Sequence, residues 1–155
     1  MALREIRIRG DEILGKVSKE VKEMTPRLHE LITDMWDTMH EAEGVGLAAV
    51  QVGVLKRIFV VEVDENERCV LINPVIVSTE GTQEGSEGCL SVPGKAGNVT
   101  RPMKVVVEGL DEDMKPVHIE AEGFYARAIC HEYDHLDGHL YIEKVEGELY
   151  DTAEQ

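Results

Sequence analysis

The most regular pattern along the chain is a stripe at helical spacing. Leu28, Leu31, Ile32, Met35, Met39 and Ala42 recur three or four positions apart, as on the buried face of an amphipathic helix. Thr25 stands at its cap and Pro26 in its first turn, where the missing N–H leaves no hydrogen bond unmade. The spacing predicts a helix over residues 26–43, with its methionines filling core. Beyond it the pattern changes. Val and Ile dominate residues 57–63 and 68–77 on either side of Asp64-Glu65-Asn66-Glu67, and residues 104–110 and 116–121 repeat the arrangement around Asp111-Glu112-Asp113. β-branched runs joined by short acidic turns predict hairpins, hence mainly antiparallel sheet. Gly123 and Gly138 bracket a last helix. The pattern therefore predicts an α+β domain: mainly antiparallel sheets packed around a long C-terminal helix, with an amphipathic helix nearer the N-terminus.

A chain of 155 residues is the size of one ordinary domain with a substantial core. Residues 1–145 are assigned to that domain; residues 146–155, EGELYDTAEQ, are acidic and are expected to form a short flexible tail. The opening MALREIRIRG is charged and has no long apolar run, which argues against a signal peptide or membrane span and for a cytoplasmic protein. Three cysteines, Cys69, Cys89 and Cys130, are odd in number and far apart, which suits reduced thiols better than a disulfide framework. The formal charge of −15, from 31 acidic against 16 basic residues, repels a phosphate backbone or an anionic bilayer. Neither nucleic acid nor a membrane is an expected partner, and solubility alone accounts for the acidity.

Within the last helix, His131-Glu132-Tyr133-Asp134-His135 brings in chemistry. Positions i and i+4 share a helix face, so the two imidazoles can hold one metal ion together, with Glu132 about 100° around the barrel. A carboxylate beside such an ion is placed to take a proton from water, as in a metal-dependent hydrolase. On a merely solvated helix the same residues would do nothing, so a third ligand decides. One group of zinc proteases places a histidine three residues after a glycine that Gly138 matches, but that position here is Tyr141. Too little chain follows for a further helix bearing a glutamate, so the ligand is sought upstream.

Glu87-Gly88-Cys89-Leu90-Ser91-Val92-Pro93-Gly94 can present a sulfur at a loop or strand edge. Cys89 is the candidate, although a free cysteine is most commonly a small buried hydrophobe. Cys69 lies inside a predicted strand and reads as core. Cys130 adjoins His131 but points about 100° away from it around the helix, and farther still from His135. Stepping back by turns on the face of the two histidines gives Ala128 and Phe124, hence an apolar depression beside the ion. Asp134 reads equally as a group that orients a ligand and as a solvated charge. Gly44-Val45-Gly46-Leu47-Ala48-Ala49-Val50-Gln51-Val52-Gly53 leaves the main chain bare enough for another backbone or a substrate to approach. Gln51 there is either a placed donor and acceptor or a solvent-facing side chain, and no Gly-Lys-Ser/Thr ending marks a phosphate loop. Taken by themselves, these residues describe a metal-dependent amide hydrolase with an apolar pocket.

Together, Gly44-Val45-Gly46-Leu47-Ala48-Ala49-Val50-Gln51, Glu87-Gly88-Cys89-Leu90-Ser91 and His131-Glu132-Tyr133-Asp134-His135 resemble the three motifs of the bacterial peptide deformylases, in order and at compatible spacing. Gly10-Asp11 followed by Ile13-Leu14, and Arg101-Pro102 before a strand, extend the resemblance over nearly the whole chain. The resemblance implies removal of the N-formyl group from the formylmethionine of newly made polypeptides, with release of formate. It implies one metal on Cys89, His131 and His135, and Glu132 as general base and then proton donor to the leaving amine. The Gln51 side chain and the Leu90 N–H would be the oxyanion donors. Gly46 would pair its backbone with the peptide, while Val45, Phe124 and Ala128 would receive the methionine side chain. Fe(II) is the ion the resemblance favours, with zinc, nickel or cobalt as substitutes; a thiolate with two imidazoles suits zinc and ferrous iron alike.

Two features depart from the family pattern. Cys130 stands where members usually carry glutamine; facing away from the ligands, it is expected to alter packing rather than activity. Many members extend into a basic C-terminal helix that docks on the ribosome, but after Arg127 this chain has Lys144 against eight acidic residues, which argues against docking through the tail. The alternatives are a metallopeptidase of other specificity using the same metal trio, and a catalytically silent metal-binding relative, in which Glu132 and Gln51 would have no use.

Overall fold

In the computed structural model, which describes residues 2–152, two helices cover opposite faces of one sheet. Helix α1 (Pro26–Glu41) begins where Thr25 Oγ1 accepts a hydrogen bond from the Leu28 N–H at 3.2 Å, satisfying one of the free donors of the first turn. It stops short of residue 43 because Glu43 takes a left-handed backbone conformation, φ 58°, on the way into the glycine-rich segment. The strands follow in chain order as β1 (Gly46–Ala48), β2 (Ile58–Glu62), β3 (Arg68–Glu80), β4 (Gln83–Cys89), β5 (Val92–Arg101), β6 (Lys104–Leu110), β7 (Pro116–Glu122) and β8 (Glu146–Asp151). Helix α2 (Phe124–Leu136) lies between the last two strands in sequence. One sheet has the order β1-β2-β3-β6-β7 and the other β4-β5-β8, with antiparallel neighbours throughout. The hairpins β2–β3 and β6–β7 expected from the β-branched runs are present, and the architecture is α+β.

Alternation along β2 explains the layering. Ile58 and Val60 pack with Leu31, Ile32, Met35 and Met39 of α1, while Phe59 and Val61 pack with Ala126, Ile129 and Leu136 of α2. A strand covered on both faces reads as a continuous apolar run, which is what IFVV is. The end of α2 is fixed by Gly138, whose φ is 82° and where an added Cβ would lie 2.6 Å from the Gly15 carbonyl oxygen. Only glycine allows that approach. The second sheet has its own small core, in which Val92, Val99 and Tyr141 pack against Val145 and Leu149.

Two parts of the second sheet lie outside the sequence expectation. β4 and β5, QEGSEGC and VPGKAGNVTR, lack a β-branched run and are rich in glycine, so strand propensity gives no sign of them. The flexible tail expected from residue 146 is corrected for Glu146–Asp151, which form β8 with Lys95 opposite Asp151, Ala96 opposite Tyr150 and Asn98 opposite Glu146. Thr100 Oγ1 donates to Glu146 Oε1 at 2.8 Å, and Leu149 turns into the small core. The acidic side chains sit on the solvent side of a strand whose backbone is paired, so charge count alone misjudges it. Residues 153–155 of the expected tail lie outside the described residues.

A chain ending at Val145 should lose the β8 ladder and the Leu149 contact, lowering stability by about 1–2 kcal/mol in urea unfolding; an unchanged midpoint would restore the flexible tail.

Candidate metal centre and active site

Helix α2 carries His131 and His135 one turn apart, both buried, with ring centroids 5.1 Å apart and planes at 70°. Cys89, the last residue of β4, brings its sulfur to 3.4 Å from His135 Nε2. One ligand atom from each of Cys89, His131 and His135 lies within 4.8 Å of the others. His131 Nδ1 is 2.9 Å from Glu87 Oε1, which leaves its Nε2 for the cluster. Beside them Glu132 is buried with Oε1 lacking any hydrogen-bond partner among the described residues. A soft sulfur, two imidazoles and an unpartnered carboxylate oxygen fit one divalent ion with a reacting group next to it. The other two cysteines lie elsewhere. Cys69 and Cys130 pack into the core around α2, and burial pushes both thiols up to about 11, so they remain protonated and inert.

An ion network fixes this arrangement. Arg101 grips Glu87 through Nε at 2.8 Å and Nη2 at 2.9 Å, and Arg127 Nη1 adds a third contact at 2.7 Å. Arg101 Nη1 also reaches Asp134 Oδ2 at 2.6 Å, where Lys144 approaches to 3.3 Å. Burial by itself would raise the Glu87 carboxyl, but hydrogen bonds from Arg101 and His131 outweigh it and hold the group well below the usual carboxylate range. Asp134, left open between two roles by its sequence, therefore braces Arg101, and among the described residues its side chain makes no hydrogen bond to His131 or His135. Tyr141, at the position where the zinc proteases have their last ligand, stacks its ring on His131 at 5.9 Å and 29°.

Glu132 has a different environment. Burial pushes its carboxyl up to about 7, a value suited to taking and returning a proton near neutrality. The space it needs is supplied by Gly46: a Cβ there would lie 2.4 Å from Glu132 Oε2. Gln51 is buried in the short turn after β1, where Oε1 accepts from the Ala48 N–H at 2.9 Å and Nε2 donates to Ser91 Oγ at 3.0 Å and toward Cys89 Sγ at 3.5 Å. The Ser91 N–H also points at that sulfur, at 3.4 Å.

These groups open onto a groove of about 690 Å³. Val45, Gly46, Leu90, Phe124 and Ala128 line it together with Gln51, Cys89, His131 and Glu132. Ala128 is buried in its floor, while Val45 and Phe124 are exposed. β1 and β4 are each the outer strand of their sheet, so two free strand edges border the same groove. All the site residues singled out from sequence are thus brought to one place. Glu87, Arg101, Arg127 and Ser91 were missed as supporting groups. Glu87 and Ser91 flank Cys89 closely enough to have been suspected, but nothing in the sequence signals that two arginines converge on Glu87.

Residues 3–149 match the polypeptide deformylase family. A peptide deformylase of Agathobacter rectalis is 61% identical over 153 residues, 99% of this chain and 96% of that protein. One of Lachnoclostridium phytofermentans is 60% identical over 155 residues, 99% of this chain and 95% of that protein. Among solved structures, a peptide deformylase from Thermotoga maritima superposes with a TM-score of 0.91 at 36% identity, covering 95% of this chain and 100% of that one. A peptide deformylase from Ehrlichia chaffeensis in complex with actinonin gives 0.91 at 37% identity, covering 94% and 90%.

Replacing Glu87 by Gln should weaken zinc binding about 10- to 100-fold by loosening His131. It should also destabilise the fold by on the order of 3–5 kcal/mol, because buried guanidinium groups lose their counter-charge. Metal titration against a chromogenic chelator and urea unfolding read the two effects separately.

Proposed function

We propose, from the premise that the chain belongs to the peptide deformylase family, that Glu132, Gln51 and Leu90 carry its reaction while Cys89, His131 and His135 hold its metal. The reaction is removal of the N-formyl group from nascent polypeptides by hydrolysis, with formate released. The observation that carries the residue assignment is the convergence of the three ligand atoms within 4.8 Å of one another beside a buried carboxylate oxygen that nothing else satisfies. When bound, the ion supplies Lewis-acid polarisation of the water and the formyl carbonyl. Fe(II) is our choice of ion, with zinc, nickel and cobalt able to replace it, since a thiolate and two imidazoles accept all of these.

Glu132 takes a proton from the attacking water as its oxygen bonds to the formyl carbon. The carbonyl oxygen then carries negative charge, and the Gln51 Nε2 and Leu90 N–H groups donate to it. Preorganised donors of this kind usually supply the largest single contribution to catalysis. Cleavage of the carbon–nitrogen bond sends the electron pair to nitrogen, and Glu132 returns its proton there to release the free amine and formate. Gly46 pairs its main chain with the peptide along the free edge of β1, in the manner of an added strand. Val45, Phe124 and Ala128 receive the methionine side chain of the formylmethionyl substrate.

No helix among the described residues is long and apolar enough to cross a membrane. Docking on a ribosome through the C-terminal segment forms no part of this proposal, since Glu146–Asp151 are acidic and already paired in β8.

Formate release from formyl-Met-Ala-Ser, measured anaerobically with iron-loaded and zinc-loaded protein, tests the assignment. Glu132→Ala should keep the ion and lose at least about 100-fold in turnover, because the proton shuttle alone is removed, and Cys89→Ala should lose the ion as well. Undiminished turnover in Glu132→Ala would sink the mechanism, and cleavage of internal peptide bonds in place of formate release would favour a metallopeptidase. Gln51→Ala should lower kcat about 100- to 1000-fold with the metal retained.

A further inference from the structure

The segment that precedes α1 takes no part in the chemistry described above, yet it touches both places from which the oxyanion donors come. Gln51 lies in the turn after β1 and Leu90 directly after β4, so the two donors are carried by different sheets. Across that divide the Arg7 N–H donates to the Gln51 carbonyl at 2.6 Å, and the Arg9 N–H to the Ser91 carbonyl at 2.7 Å. Two residues of backbone span at most about 7 Å, so these two hydrogen bonds limit how far the motifs can separate.

The strap is itself held along its length. At its start the Ala2 N–H donates to Asp34 Oδ1 at 3.1 Å, and the Arg4 N–H to Thr38 Oγ1 at 3.0 Å, both on α1. Arg4 Nε also pairs with buried Asp34 at 2.9 Å. At its end Arg7 Nη1 meets Asp11 Oδ2 at 3.0 Å, and Asp11 Oδ1 accepts from the Ile13 N–H at 3.1 Å. The Arg7 guanidinium lies against Gly53, where an added Cβ would come within 2.8 Å of Nη2. A segment tied at both ends and bonded at its middle to two separate motifs acts as a clamp between them.

We propose that residues 2–11 set the separation of the Gln51 amide and the Leu90 N–H, with Arg7 and Arg9 as positioning residues through their main-chain N–H groups. This rests on the assignment of Gln51 and Leu90 as oxyanion donors. The motifs are also bridged by the Gln51–Ser91 side-chain hydrogen bond at 3.0 Å, but that bond involves the donor itself and cannot hold it against an independent reference. A misplacement of about 1 Å at such a site costs on the order of 100-fold in rate, so a modest loosening is measurable.

Steady-state kinetics on formyl-Met-Ala-Ser with the metal-loaded full chain provide the test. Arg7→Pro and Arg9→Pro each delete one of the two donors, whereas Ile8→Pro deletes neither, because the Ile8 N–H makes no main-chain hydrogen bond among the described residues. The expected result is a fall in kcat of about 10-fold or more in Arg7→Pro and Arg9→Pro, with KM, metal content and thermal midpoint close to those of Ile8→Pro. Combined with Gln51→Ala, the loss in Arg7→Pro should be less than additive, since both act on the Gln51 donor. The clamp is overturned if kcat matches that of Ile8→Pro, or if the fall follows lost metal or a lowered midpoint. Gln51→Ala on its own separates the two assignments. Full kcat in that variant removes the oxyanion role and the clamp together, whereas a crippled Gln51→Ala beside fully active Arg7→Pro and Arg9→Pro removes the clamp alone. Where a proline variant does not fold, Asp34→Asn with Thr38→Val loosens the strap from α1 without touching Arg7 or Arg9. A several-fold fall in kcat at unchanged metal content then supports the clamp, and an unchanged kcat overturns it.

Discussion

Glu87 carries its charge inside the protein with 4% of its side chain exposed, and that buried charge constrains most of what surrounds it. An unpaired carboxylate in such a place would cost several kcal/mol, so its partners must be present together. They come from separate elements: Arg101 from the end of β5, Arg127 and His131 from α2. Satisfying one carboxylate therefore locks β4, β5 and α2 into a single relative position. A bulge between Glu87 and Cys89 turns the strand just beyond the anchor, as bulges do where a side chain must be re-aimed. The sulfur meets the histidines where the carboxylate two residues before it is bound by the same helix.

The groove owes its form to a second constraint, the meeting of two sheets that do not pair with each other. β1 and β4 each leave one edge free, and exposed edges ordinarily invite association with another strand. Here both edges border the groups proposed as catalytic, and on that proposal the hazard becomes a means of holding an extended peptide. Gly46 keeps this arrangement open. Any side chain on it would occupy the space of the Glu132 carboxylate, so on the proposed roles one glycine serves both the approach of a backbone and the placement of the base.

Legibility from sequence followed the range of the interactions. The first sheet was readable because its strands are β-branched runs with short turns, and α1 because its stripe has a fixed period. The His131–Glu132–His135 cluster was readable for the same local reason. Cys89 could be only a candidate from its own surroundings, and family resemblance was needed to join it to histidines more than forty residues away. The second sheet was not readable. β4 and β8 are polar or glycine-rich strands whose pairing is set by tertiary contacts, and the acidity of residues 146–151 suggested solvent where the chain in fact forms a ladder. The ion network was least visible of all. Glu87, Arg101 and Arg127 look in sequence like any solvated charges, and only burial reveals that they hold the site.

The choice of sulfur as the third ligand ties the metal centre to the proposed oxyanion donor. Gln51 Nε2 lies 3.5 Å from Cys89 Sγ and 3.0 Å from Ser91 Oγ, while its Oε1 is held by the Ala48 N–H. The amide is thus oriented from both ends before any substrate arrives, and one of its neighbours is the sulfur proposed as a metal ligand. A third histidine at the position of Tyr141 would leave Gln51 without that neighbour, and would place the ligand on the same segment as the other two. Drawing the ligand from β4 makes metal binding depend on the second sheet being docked. The proposed catalytic groups of the first sheet and the proposed metal ligand of the second then meet where α2 packs over Glu87.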